Sequence, residues 1–222
     1  QAQLDRRRPG QSKVSTPRAE SDTVEILSGV FQGRTMGPPV AMLIRNRNQD
    51  PGAYREIREK LRPGHADFGF LAKYGVRDWR GSGRASGRET ACRVAAGAIA
   101  RKMLAERGIA IIAFARQIAD VKAETIDLAQ IEQNIVRTAD PGAVETMIKR
   151  IEAARDQGNS VGGIIELRIQ GMPTGIGEPV FDKIEAQLAH AIMSVGAVKG
   201  IEIGVGFECA TMTGLEFNDE YK

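Results

Sequence analysis

The sequence has only two cysteines, two histidines, one tryptophan and few aromatic side chains of any kind, and each shortage removes a class of function. Cys92 and Cys209 lie too far apart to suggest a disulfide framework or a zinc site, so both are expected as reduced core thiols, with no metal centre. Aromatic residues make up 5% of the chain, too little for a base-stacking platform. A net charge of +3 is equally too mild for an extended nucleic-acid surface, which argues against a basic RNA-binding domain. No apolar run reaches bilayer length and no secretory core opens the sequence, so a soluble, cytoplasmic protein without nucleic-acid or membrane partners is expected. With 42% hydrophobic residues over 222 positions, the chain can bury a proper core.

The basic excess is concentrated. Between Arg62 and Lys102 stand one of the two histidines, a cluster of arginines, several glycines and a helix start. The segment Arg80-Gly81-Ser82-Gly83-Arg84-Ala85-Ser86-Gly87-Arg88 has too much glycine for a helix or a packed strand. Ser86 followed by Glu89 fits a capping box, and Ala91, Val94, Ala95, Ala98 and Ile99 then share one helical face. A loop carrying Arg80, Arg84 and Arg88 before a helix N-terminus suits phosphate or a phosphorylated cofactor, although a solvated connector has the same composition. Its spacing matches neither the P-loop nor the dinucleotide fingerprint.

Read in order, Gln1 to Asp5 look like the end of a helix, closed by Pro9-Gly10. There Arg6, Arg7 and Arg8, with Lys13 nearby, form either a phosphate or carboxylate clamp or a solvated basic tail. Residues 24–30 and 40–46 read as an antiparallel hairpin with a long connection, and Ala53 to Leu61 as a short polar helix. Arg62-Pro63-Gly64 then delivers His65 into a loop beside Asp67, where the imidazole is either an acid–base group or structural. Ile109 to Ala115 reads as a buried strand, Leu128 to Val136 and Ala143 to Gln157 as helices, and Gly162 to Ile169 as a strand. Pro179 is placed to open a helix bearing Val180, Ile184, Leu188 and Ile192, followed by a strand from Ile201 to Phe207. The recurrence of helix, glycine and strand suggests two similar halves. Glycine-rich Gly171 to Gly177 reads as a strand-to-helix connection, and His190 as structural or at a subunit contact.

Several strings, in this order and spacing, resemble chorismate synthase: Arg6-Arg7-Arg8-Pro9-Gly10, Arg62-Pro63-Gly64-His65-Ala66-Asp67, Lys73-Tyr74-Gly75, Arg84-Ala85-Ser86, Arg88-Glu89-Thr90, Arg93 to Ala100, and Gly177-Glu178-Pro179-Val180-Phe181-Asp182. The resemblance implies an α+β sandwich with helices enclosed between antiparallel sheets, in two similar halves, residues 1–222 forming one domain incomplete at both ends. It implies a homotetrameric lyase that eliminates phosphate from 5-enolpyruvylshikimate 3-phosphate using reduced FMN, with NADPH as a possible reductant. By the same resemblance His65 transfers protons to the reduced flavin, and Arg84, Ala85 and Ser86 form the flavin-binding loop. Arg7, Lys13, Arg62 and Arg88 are the implied substrate- or NADP-binding cations, Lys13 standing where an arginine is usual. Ser82 and Gly87 replace residues that are usually Gly and Ala. Family members also carry an early Gly-Glu-Ser-His-Gly motif and a later catalytic aspartate that this sequence does not contain. The stretch from Gln1 to Asn218-Asp219-Glu220-Tyr221-Lys222 is accordingly expected to be the central portion of such an enzyme, the alternative being a non-catalytic flavin- or phosphate-binding module of the same fold.

Overall fold

A computed structural model describes residues 1–16 and 18–219; the closing Glu220-Tyr221-Lys222 lies outside them. The chain forms two compact units, Gln1–Met172 and Pro173–Lys222, each taken by itself below. Helices and antiparallel sheets coexist, so the expected α+β class holds.

In the first unit α1 (Ala2–Arg7) buries Leu4 against Ala91 and Ala95 of α3 (Thr90–Ala105), with Val24, Met42, Ile44 and Val94 packed around them. Those α3 residues fall on the face given by helical periodicity, and Cys92, one position round, is exposed rather than in the core. Burying Leu4 contributes about 2 kcal/mol. The hairpin forms as expected: β1 (Val24–Ile26) pairs with β4 (Met42–Ile44) in the register Val24↔Ile44, while β2 (Val30–Phe31) and β3 (Arg34–Thr35) fold the long connection back on itself.

Instead of a helix from Ala53, a short 3-10 turn spans Pro51–Tyr54, because the Asp50 carboxylate accepts from the Gly52 and Ala53 N–H groups. The helix lies further on, as α2 (Asp67–Tyr74), closed by Gly75 at φ +71°, whose N–H returns to the Leu71 carbonyl. After α3, Gly108 at φ +75° lets the Ile109 N–H reach back to Leu104, and the chain enters β5 (Ala110–Ile118). This is the central strand of a sheet ordered β6-β5-β7, with β6 (Val121–Lys122) and β7 (Gly163–Gln170) both antiparallel to it. Phe114 and Ala115 are fully buried, but the rest of β5 is not, so the expectation of burial along both faces holds only in part. Residues 128–133 form a 3-10 helix, and Val144, Met147, Ile148 and Ile151 of α4 (Val144–Asp156) pack against Ala123 and Val136. Gly171, at φ +73°, closes the sheet so tightly that any side chain there would collide with the Gly108 carbonyl.

The second unit corrects two expectations. β8 (Gly177–Glu178) pairs with β9 (Asp182–Lys183), so Pro179 sits in a hairpin turn and α5 (Ile184–Met193) starts only at Ile184. No strand forms over residues 201–207; Gly204 (φ +65°) and Gly206 (φ +61°) leave extended geometry there, and Gly206–Thr211 becomes a 3-10 helix with Cys209 exposed. The recurring pattern therefore keeps its helix and lacks its strand among the described residues. A final short helix, α6 (Gly214–Phe217), carries a complete capping box between Thr213 and Glu216.

Candidate functional site

The arginine-rich loop of residues 80–90 is held at both ends by a buried carboxylate clasped between two guanidinium groups. At its far end the carboxylate is Asp22, fully buried, with φ +46°. Arg7 Nη1 donates to Asp22 Oδ2 (3.0 Å) and Arg88 Nη1 to Oδ1 (2.7 Å). Arg7 Nη2 also donates to Thr90 Oγ1 (2.8 Å) and the Gly87 carbonyl (3.2 Å), and Arg88 Nη2 to the Arg45 carbonyl (2.9 Å). Arg7 and Arg88, two of the expected ligand-binding cations, are thus brought together with the end of α1 and the start of α3.

The near end is fastened by Asp67, 3% exposed, at the start of α2. Arg62 grips it with Nε and Nη2, both at 3.0 Å, and donates its backbone N–H to Oδ2 (3.2 Å); Arg77 Nη1 reaches the same oxygen at 3.4 Å. The Arg62 fork, aided by its backbone N–H and the charge of Arg77, holds the Asp67 carboxyl down to about 2. Arg62 Nη2 also donates to Ser82 Oγ, and its guanidinium lies 5.6 Å from the centre of the Tyr54 ring. Ser82 adopts φ +75°, a conformation that favours glycine, and its hydroxyl accepts this hydrogen bond. Asp67, which neighbours His65 in sequence, is paired with Arg62 and Arg77.

His65 stands exposed in the loop between Arg62 and Asp67. Its Nδ1 lies 3.0 Å from the Pro63 carbonyl oxygen. A carbonyl only accepts, so Nδ1 is the donor in this contact, which in the neutral ring leaves the lone pair on Nε2. Between the two anchors, the arginines expected at an anion site have different fates. Arg80 is paired with Asp78 (Nε to Oδ1, 3.1 Å) and Arg88 with Asp22, whereas Arg84 is exposed and has no acidic partner among the described residues. Ser86 caps a 3-10 turn, accepting from the Arg88 N–H (3.3 Å), and Glu89 pairs with Arg93 (2.8 Å) instead of closing a capping box. Ala85 lies exposed beside them.

Lys13 is not gathered into this arrangement; its ammonium pairs with Glu152 of α4 (2.7 Å) and its carbonyl accepts from Arg155 (2.9 Å). Arg6, Arg7 and Arg8 wall a separate cleft of about 390 Å³ whose other side is Glu132 to Arg137. There Glu132 is shared by Arg6 (2.6 Å) and Arg137, and Arg8 has no acidic partner among the described residues. His190 is exposed on α5, and no group of acidic, histidine or cysteine side chains that could hold a metal ion occurs among the described residues. Asp22 and Arg77 escaped sequence reasoning; Asp22 stands between Glu20 and Glu25, and nothing local marks it as the acid that two distant arginines will share.

The chain is similar in sequence and in fold to known proteins. A family model described as chorismate synthase matches residues 1–222. Proteins named chorismate synthase from Roseiflexus castenholzii and Methanosarcina mazei are 51% and 49% identical to the chain over its whole length, and one from a Synechocystis strain is 52% identical. The chain spans 62% of the length of each of these relatives. A crystal structure titled chorismate synthase superposes with a TM-score of 0.79 at 33% identity, over 99% of this chain and 64% of that one.

Proposed function

The chain belongs to the chorismate synthase family, and from that premise we propose that the protein converts 5-enolpyruvylshikimate 3-phosphate to chorismate with reduced FMN. The reaction is an anti-1,4-elimination: the C–O bond to phosphate breaks, a ring proton leaves from the opposite face, and the released electron pair completes a diene. The observation that carries the reading is the match of all 222 residues to one family model.

The chemistry of the donor set suits such ligands. Substrate and cofactor are both multiply anionic, and each anchor binds two guanidinium groups to one carboxylate, leaving a surplus positive charge at either end of the loop. Arg84, unpaired, with Ala85 and the Ser86 hydroxyl, would hold the flavin in front of the sixteen-residue helix α3. When bound there, reduced FMN would supply electron density to the reaction. His65 takes or gives a proton at Nε2 while Pro63 retains the Nδ1 proton. Arg7, Arg62 and Arg88 contribute positive potential towards substrate or NADP while shaping the loop, and Lys13 does so from its place beside α4. A homotetramer, a cytoplasmic setting, NADPH as reductant and a single domain over residues 1–222 belong to the same proposal; no helix among the described residues is long and apolar enough to cross a membrane.

The test is chorismate formation from the phosphorylated substrate with FMN under anaerobic, reducing conditions. It is run on this chain and on a version extended at both ends by its flanking coding sequence. Turnover in the extended protein is expected. A folded, flavin-bound extended protein without turnover would overturn the enzymatic reading in favour of a binding module.

A further inference from the structure

We propose that Asp67 is a positioning residue that acts through Arg62 on two elements at once, fixing the tautomer of His65 and fastening the Arg84 loop at Ser82. The proposal rests on the functional reading above for its consequence in turnover, but its geometry stands apart from it.

Asp67 accepts the Arg62 backbone N–H, closing the chain from residue 62 to residue 67 into a ring with His65 inside it. The His65 N–H returns to the Arg62 carbonyl (3.4 Å) across Pro63, whose φ is fixed, so once Arg62 is held this turn keeps the Pro63 carbonyl directed at His65 Nδ1. Imidazole in water favours neither nitrogen strongly; here the carbonyl makes the choice and leaves Nε2 free. The same Arg62 guanidinium, gripped by Asp67 through Nε and Nη2, extends Nη2 to Ser82, two residues before Arg84. Arg77 secures the carboxylate from the other side and ties it to the Lys60 carbonyl (2.9 Å), so the hub is braced by chain segments on both sides of α2. Asp67 itself touches neither His65 nor Arg84.

Two substitutions separate the arms. Asp67→Asn keeps the shape and removes the charge, and should loosen both; Ser82→Gly removes only the tether to the loop and relieves the left-handed backbone. The chain has two histidines, so long-range proton–nitrogen spectra of the 222-residue protein, with His190→Gln for assignment, report the His65 tautomer without any ligand. In the neutral ring of the parent the Nδ1–H form should dominate; in Asp67→Asn the Nε2–H form should appear. Quenching of flavin fluorescence on the extended protein should show FMN affinity reduced several-fold in both variants, and kcat reduced about tenfold to hundredfold in Asp67→Asn with KM little changed.

An Asp67→Asn protein with the parental tautomer overturns the claim on His65. Ser82→Gly with unaltered FMN affinity overturns the claim on the loop, and it decides that arm even if Asp67→Asn fails to fold. A tautomer change in Asp67→Asn in a protein whose parent shows no turnover would strike the functional reading and leave the positioning role standing.

Discussion

Replacing Asp22 by Asn should destabilise the protein more than any other single charge-neutralising substitution in its N-terminal region. The carboxylate is fully buried, while the side chains of Arg7 and Arg88 are 24% and 15% exposed. Asparagine keeps the volume but leaves two largely buried guanidinium groups facing a neutral amide. Breaking a buried pair from one side costs about 3–5 kcal/mol, and the residual exposure of the arginines places this case near the lower bound, about 3 kcal/mol. For a chain of this size that corresponds to a fall in Tm of about 6–12 °C. Urea denaturation followed by circular dichroism measures it. Glu25→Gln provides the control: it breaks the exposed Arg45–Glu25 pair, with side chains 59% and 40% exposed, and should change stability far less. Equal effects of the two substitutions, or a loss under about 1 kcal/mol for Asp22→Asn, would refute the assignment of Asp22 as the anchor.

His65→Ala should lower turnover by about 100-fold or more while FMN affinity stays within a few-fold of the parent, because a proton carrier and not a binding contact is lost; comparable losses in both quantities would contradict it. Arg84→Ala should weaken FMN binding about tenfold, whereas Arg80→Ala, whose guanidinium is engaged by Asp78, should leave it nearly unchanged, as flavin fluorescence titrations would reveal. Acid should destabilise the protein through Asp67: its carboxyl is held at about 2 by Arg62, below the ordinary 3.8, so its contribution is complete above about pH 4 and lost as pH falls towards 2. Thermal melts across that window should show the decline, and Asp67→Asn should flatten it. Cys92, exposed on α3, should react with a thiol reagent in the native protein, checked by mass spectrometry; protection until unfolding would contradict its placement.

Much of the fold was legible because it is written locally. Ala91, Val94 and Ala95 repeat with helical period and do pack on Leu4; Ile109 to Ala115 and Gly162 to Ile169 do become neighbouring strands. Two misreadings came from apolar runs punctuated by glycine. Ile201, Ile203 and Val205 alternate as a strand would, but Gly204 and Gly206 take left-handed conformations; Pro179 reads as a helix opener until Glu178 and Asp182 pair across it. At the site, composition singled out one loop and one histidine, yet not which cations are free. That depends on carboxylates distant in sequence: Asp22 lies 66 residues from Arg88, and no local pattern foretells which of Arg80, Arg84 and Arg88 will be claimed. Asp67 was visible beside His65, but its pairing was not: at the start of a helix its side chain turns back to the Arg62 fork.

A loop pinned at Ser82 and again from Gly87 to Thr90 has a fixed contour length. Side chains between the pins can change with little consequence for the path of the backbone, but one inserted or deleted residue cannot be absorbed without releasing a pin. The backbone entropy of ordering the segment is also lost at folding, so a ligand binding there would meet a main chain with little freedom left to surrender. Natural variation in this stretch should therefore take the form of substitutions at constant length.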